Sequence, residues 1–457
     1  MEQSESIPIG LLAVGGVFAL VAATIQLTRF KFSLFIIGAM LFTSSMAVAA
    51  DWQGHFQKIW LYPIQIRRSD LFMGLGVMLF VTIAGHLNKM SLRSIPVQSV
   101  ALLSISLYAG MLRFVHEGLA SSAMSLTFTM VTAFPLLFVL PALLRNKEDW
   151  FPMLRMVMWV SALWIGAVLI QVVLNHRMLV LGRGLRFTGL TNNPQHAAVI
   201  LATFSIVAMW LLLNDKNRRM VPIWAGLLAT NLLFTVWTGS RTGLGITVIG
   251  AMVILHRHMR RAVLLLPVAG LILWILLEVV GSNVNLGADR LVSTQNTRSY
   301  AWMNMLRNAR RDPLIGVGIG EAGDSENSFL YGFASYGVGM VALQFLLVIV
   351  SGVQGFRLLR WRSHAPASIS SFSDLIIAYF AMYFAGSIVE GYMIARVGAP
   401  LMFLLLFGSM ATIFIQNTRD AAWSDDHTLD DDWWEYEGVG PDEPDEWEEH
   451  EGVQPAW

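Results

Sequence analysis

The residues able to do chemistry in this chain collect in three short polar segments set between long apolar runs. "GRGLRFTGLTNNPQHAA" (182–198) carries Arg183 and Arg186, "TGSRTG" (238–243) carries Arg241, and "PLIGVGIGEAGDSENSFL" (313–330) carries Glu321, Asp324 and Glu326. A guanidinium is a rigid fork of donors that matches phosphate oxygens, so these arginines are anion-binding groups by type. The carboxylates are acid–base groups by type.

Each segment also has a plain structural reading. Asn192, Asn193 and Pro194 suit a turn and a helix cap. Arg183 and Arg186 stand at the lip of an apolar run, where a guanidinium either snorkels to the interface or faces a polar cavity. Arg241 sits between hydroxyls and glycines at the start of another run. Free N–H groups of a helix start beside it would make a phosphate site; the alternative is an interfacial anchor. The glycines at 316, 318 and 320 let the backbone bend tightly or approach a ligand closely. No βαβ unit surrounds them, so they do not read as a nucleotide loop, and no nucleic-acid partner is expected.

The elements that must position these groups are membrane spans. Hydrophobic residues make up 55% of the chain, charged residues 14%, and the mean hydropathy is +0.57, far from the usage of a soluble domain. A bilayer core needs about 20 apolar residues per helix. Runs of that kind lie near 7–27, 33–50, 70–86, 96–112, 121–144, 154–175, 196–213, 221–237, 242–256, 262–280, 336–356, 373–390 and 398–416. The expected fold is therefore an all-α polytopic transmembrane helical bundle of about 12–13 spans. The first run lacks the basic flank of a cleaved secretory peptide and reads as a span. With no cysteine, disulfides, thiolate nucleophiles and cysteine metal sites are excluded. The histidines at 86, 116, 176, 196, 256 and 258 share no metal-ligand spacing beyond His256-x-His258, which sits in a basic loop; no metal is expected.

Charge orients the bundle. Compact basic clusters, among them Arg145/Lys147/Arg155, Lys216/Arg218/Arg219 and Arg357/Arg360/Arg362, recur in alternate loops and mark the cytoplasmic side. The N-terminus is then outside and the C-terminus inside. The three polar segments fall on the outer side, within loops 176–195, 238–241 and 281–335. Lys58, Arg67 and Arg68 in the outer loop 51–69 run against this pattern locally. In the long loop, residues 298–311 predict a short amphipathic helix. Trp302, Met305 and Leu306 share one face, Arg307, Arg310 and Arg311 lie toward another, and the helix rests at the membrane surface.

Two materials meet at residue 419. All 31 Lys and Arg lie at or before Arg419 against 16 acidic residues, a net charge of +15. The tail 420–457 holds the other 15 acidic residues and five tryptophans, and no Lys or Arg. Such a tail cannot build a core and reads as disordered. Its acidic and aromatic pattern also suits docking to a basic partner. Residues 1–419 form the transmembrane domain.

Taken in order, the motifs resemble the O-antigen ligase and O-antigen polymerase superfamily of polytopic membrane glycosyltransferases. The resemblance runs over roughly 182–340. It rests on Arg186 before Thr188-Gly189 and Asn193-Pro194, on Ser240-Arg241-Thr242-Gly243, and on Arg298-x-x-x-Trp302. Pro313-x-x-Gly316-x-Gly318-x-Gly320 and Glu326-Asn327 before Phe329-Leu330 complete it. It implies a metal-independent enzyme, without cofactor, at the outer face of the bacterial inner (cytoplasmic) membrane. Such an enzyme moves a glycan from a polyprenyl-diphosphate lipid to a sugar hydroxyl of an acceptor glycan. Arg186, Arg241 and Arg298 would bind the diphosphate, with Arg183 secondary. Glu326 would act as general base, Asn327 would position the acceptor, and Glu321 is a weaker alternative base.

Many ligases of that family have His-Asn where this chain has Glu326-Asn327. A partly buried carboxylate can take the same proton, and the missing histidine favours a repeat-unit polymerase over a ligase. The ordinary reading of Glu326 is a solvated loop carboxylate, and Asp324 reads as a turn residue. In the enzyme reading, the tail's partner would be a chain-length regulator or assembly protein. Glu390 and Arg396, at the outer end of the twelfth span, either line the same cavity or pair with each other. A transporter or flippase remains the reading from another class, though no inverted repeat joins the two halves.

Overall fold

The computed structural model describes residues 30–46, 60–86, 92–181, 186–191, 193–259, 298–393 and 398–423. The expected spans 7–27 and 262–280, the tail beyond Trp423, Arg183, Asn192 and Arg396 lie outside these residues. Each of the eleven remaining spans is helical over most of its described residues. They correspond to α1 (Phe30–Ser44), α3 (Arg68–His86), α4 (Val97–Glu117), α5 (Leu119–Leu143), α6 (Trp150–Asn175), α7 (Pro194–Asn214), α8 (Val221–Trp237), α9 (Arg241–Met259), α11 (Ser328–Trp361), α12 (Ala367–Ser387) and α13 (Ala399–Trp423). Two shorter helices, α2 (Tyr62–Ile66) and α10 (Arg298–Arg311), a hairpin of β1 (Val180–Leu181) and β2 (Arg186–Phe187), and short 3-10 turns at Leu92–Ser94, Lys147–Asp149, His176–Leu179 and Arg362–His364 complete the described elements.

Seven helical stretches within α4, α5, α6, α7, α11, α12 and α13 are long and apolar enough to cross a membrane. The protein is an all-α, multi-pass membrane protein. Helix α7 is its centre: it is buried almost all round, as a helix that is apolar on every face must be. It packs against α6, α8, α9 and α12. Gly243 of α9 lies so close to Ala198 of α7 that any added Cβ would clash.

Away from the polar motifs, ion pairs pin the other helix ends. Arg155 at the start of α6 grips Asp215 after α7 with two bonds of 2.9 and 3.2 Å, and Trp224 of α8 donates to the same carboxylate. Arg362 after α11 pairs with Asp374 of α12 at 2.6 Å.

Two expectations about the outer loop are corrected. Residues 328–335, expected as loop, form the first turns of α11, which breaks at Gly337 (φ 73°, ψ −169°) and then continues. The glycine segment closes over that break. Val338 donates to Pro313 O at 2.9 Å, Val317 to Ala334 O at 2.8 Å and Gly318 to Ser335 O at 3.1 Å. Gly316, at φ 74°, presses against the backbone of Ser335 and Tyr336, where a side chain has no room. The close approach made by Gly316, and by Gly318 against His116, is to the chain itself.

Helix α10 also differs from expectation. It does form over 298–311, but its buried stripe is Ala301, Met305 and Ala309, of which Met305 and Ala309 pack with Ala322 and Ala334, while Trp302 and Leu306 are half-buried. Protein, rather than lipid headgroups, covers that stripe. Arg307, Arg310 and Arg311 remain exposed.

Candidate functional site

The site is assembled from four segments, and local chemistry explains each. Ser240 caps α9: its Oγ accepts from Gly243 N at 3.2 Å, which leaves Arg241 as the exposed first residue of that helix. Phe187 of β2 stacks on Phe234 and Trp237, with ring centroids 4.7 and 5.1 Å apart. That aromatic anchor holds its neighbour Arg186 over the α8–α9 turn. There Arg186 Nε donates to Thr238 O at 2.8 Å. Two arginine motifs 52 residues apart are thereby joined.

The third segment is the start of α10. Arg298 Nη2 donates to Glu390 Oε1 at 2.8 Å and to Thr242 Oγ1 at 3.0 Å, and Thr242 Oγ1 donates to the same carboxylate oxygen at 3.1 Å. Glu390 is buried, three residues past the end of α12. Burial pushes its carboxyl up from 4.5 to about 7; the Arg298 charge and the bonds from Thr242 and Arg298 oppose this, and the Glu326 charge adds to it. Of these effects burial wins.

The fourth segment precedes α11. Asn327 caps that helix, accepting from Phe329 N and Leu330 N at 2.9 Å each, and donates through Nδ2 to Ile388 O at 2.6 Å. Ser328 Oγ donates to Glu390 O at 2.6 Å. Gly391 abuts Ser325 closely enough to exclude a side chain. These contacts fasten the 325–328 segment to 388–391, and Trp302 Nε1 donates to the Glu326 carbonyl at 3.3 Å. The half-buried Glu326 side chain lies within electrostatic reach of Glu390. Its Oε2 is buried and has no hydrogen-bond partner among the described residues.

The sequence-derived residues therefore divide. Arg186, Arg241, Arg298 and Glu326 come to one end of the bundle, linked through Thr238, Thr242 and Glu390. Asn327 comes with them, but its amide is committed to backbone groups, so it is a cap and tether instead of a group aimed at an acceptor. Glu321 does not join them: it is exposed and pairs with Arg311 at 3.2 Å. Glu390 pairs with Arg298, a partner the sequence reading did not weigh, and Thr242 was passed over. The available signal was a lone carboxylate in the apolar stretch "SIVEGYM" (387–393).

Among the described residues no group of three or more His, Asp or Glu is arranged to hold a metal. As a site, the cluster offers guanidinium donors for an anion and, within electrostatic reach of Glu390, a carboxylate whose buried oxygen has no hydrogen-bond partner among the described residues. Together with the fold, it defines a multi-pass helical membrane protein with a polar, arginine-bearing cluster where helices begin and end. No protein-family model matches the chain, and no characterised protein is significantly similar to it.

Proposed function

We propose that this protein is a membrane glycosyltransferase that moves a glycan from a polyprenyl-diphosphate donor to a sugar hydroxyl on the outer face of a bacterial inner membrane. Its N-terminus is outside and its C-terminus in the cytoplasm. The observation that carries the reading is the Glu326 carboxylate. It has a buried oxygen without a hydrogen-bond partner among the described residues, and it lies beside the Glu390–Arg298 pair that Thr242 ties to the Arg241 turn.

In the reaction, the acceptor oxygen bonds to the donor sugar's C1 while its proton passes to Glu326. The C1–O bond to the diphosphate breaks, and the electron pair leaves with the diphosphate. Arg186, Arg241 and Arg298 meet that growing negative charge. Glu390 orients Arg298 and acts through it. Asn327 and Ser328 hold the loop bearing Glu326 against the 388–391 segment, which keeps the base at the required reach.

Within this class we favour a repeat-unit polymerase, in which donor and acceptor are both lipid-linked glycans, with a ligase as the alternative. The full-length chain, reconstituted in vesicles with a polyprenyl-diphosphate oligosaccharide, should form glycosidic bonds and release polyprenyl diphosphate. Ladders of repeats identify a polymerase, and transfer to a lipid core or protein identifies a ligase. Movement of the donor across the membrane without bond formation would overturn the enzyme reading in favour of a flippase.

A further inference from the structure

The end of the bundle opposite the Arg298–Glu390 cluster is tied together by aromatic rings. Phe372 at the start of α12 lies 5.0 Å from Trp150 of α6 and 4.4 Å from Trp210 of α7, and Trp210 Nε1 donates to Ser371 O at 2.8 Å. Five arginines stand exposed at this end: Arg145 after α5, Arg218 and Arg219 between α7 and α8, and Arg357 and Arg360 in the last turns of α11. Among the described residues none of the five is paired with a carboxylate. Asp215, Asp374 and Asp420 are held by Arg155, Arg362 and Arg419 instead. Glu148, exposed after α5, cannot neutralise five guanidinium groups. Arginines at span ends are the ordinary mark of orientation, but this surface is also a positive field that draws an anion.

The chain itself delivers such an anion to the same place. In the last turns of α13, Gln416 donates to Arg93 O and Asn417 donates to Arg145 O at 3.4 Å, so the helix ends at Trp423 beside the exposed arginines. Residues 424–457 then carry 14 acidic side chains and no Lys or Arg, with Trp433, Trp434, Trp447 and Trp457 among them. A coil of that length spans about 30 Å, and packed helices stand about 8–10 Å apart, so its reach covers several helix ends. An anionic leaflet repels these carboxylates, which keeps the indoles from settling there. Arginine receives both groups, the carboxylate on its donor fork and the indole on its flat face. Because it is attached, the segment is present at an effective concentration of about millimolar order, an advantage over any free partner.

We infer that residues 424–457 bind back onto the basic end of their own bundle. Their carboxylates pair with Arg145, Arg218, Arg219, Arg357 and Arg360, and their tryptophans stack on the guanidinium faces. The segment is thereby engaged before an outside partner reaches it, and the arginines are covered against anionic lipid. The inference depends neither on the transferase reading nor on which side of the membrane this end faces.

The chain has no cysteine, so the full-length protein can carry two spin labels, at Ser363→Cys in the exposed turn after α11 and at Gly440→Cys. In phosphatidylcholine vesicles at about 0.01 M salt, where the screening length is about 30 Å, the distance between the labels should be short and narrowly distributed. At about 1 M salt, where that length is about 3 Å, the short population should fall about fivefold or more. Arg218→Glu, Arg219→Glu, Arg357→Glu and Arg360→Glu made together should remove it at low salt, and adding Asp430→Lys, Asp431→Lys and Asp432→Lys should restore part of it. Should the arginine variant fail to fold, Asp430→Asn, Asp431→Asn and Asp432→Asn, which leave the bundle untouched, must lower the short population by themselves. A broad distribution at both salt concentrations, or one that these variants leave unchanged, overturns the inference. A short distance between singly labelled copies mixed together would make the partner a second copy. Loss of the short distance when phosphatidylglycerol replaces phosphatidylcholine would assign the arginines to lipid headgroups, and either result overturns the inference.

Discussion

Arg298 and Glu390, 92 residues apart in sequence, meet at 2.8 Å, and Thr242 bonds to both. The starts of α9 and α10 thus share one carboxylate oxygen of the segment that follows α12. The arrangement makes Glu390 the keystone of the cluster, because removing it takes one bond from Arg298 and one from Thr242 together.

Glu390→Ala should destabilise the folded protein by about 2–3 kcal/mol, the cost of deleting charged hydrogen bonds in a buried position. Glu390→Gln keeps the shape and an acceptor oxygen, so it should stay within about 1 kcal/mol of wild type. Unfolding in detergent micelles separates these outcomes; equal losses in both variants would mean that Glu390 acts through charge alone.

The raised Glu390 carboxyl sets a pH dependence. Its value in the folded protein is about 7 against an ordinary 4.5, so between these values the folded state binds more protons than the unfolded state. Stability must then fall as pH rises from about 4.5 to about 7, and level off above. Melting temperature measured across that window should decline in wild type and lose this component in Glu390→Gln. A rising profile that the substitution leaves intact would contradict the assignment.

Asn327→Ala strips α11 of its cap and removes its bond to Ile388 O, one of the contacts that tether the 388–391 segment. A cap of this kind contributes about 1–2 kcal/mol. Asn327→Ser keeps an acceptor for the helix N–H groups but cannot reach Ile388, so it should cost less stability while still impairing transfer. Transfer by the Ser variant at the wild-type rate would leave Asn327 a cap alone.

Arg241 is exposed at the first position of α9, beside Thr242. Arg241→Lys retains the charge and loses the fork. Transfer efficiency should drop about tenfold or more, the scale of one lost charged hydrogen bond, with melting unchanged. Full activity would make Arg241 an interfacial anchor.

Much of this was legible in the chain because its causes are local. Apolar runs mark the helices, since the bilayer demands about 20 such residues per span. The Asn193-Pro194 and Ser240-Arg241-Thr242 signals fell at true helix starts because caps are set by immediate neighbours. The start of α11 was missed because the helix runs on through a break at Gly337, and the glycine segment that makes the break tolerable lies some 20 residues upstream. The Arg298–Glu390 pair could not be read at all: a hydrogen bond across 92 residues leaves no periodic trace. Glu321 was as good a base as Glu326 by type, and only folding put it on the exposed surface with Arg311.

The central claim is that Glu326 takes the acceptor's proton, and single-turnover transfer by Glu326→Gln tests it most directly. With full-length protein and a polyprenyl-diphosphate glycan donor, the variant should bind donor as wild type does and transfer it about 10²–10⁴-fold more slowly, the usual contribution of a general base. Transfer within a factor of about two of wild type, far below that contribution, would put the base elsewhere and contradict the account.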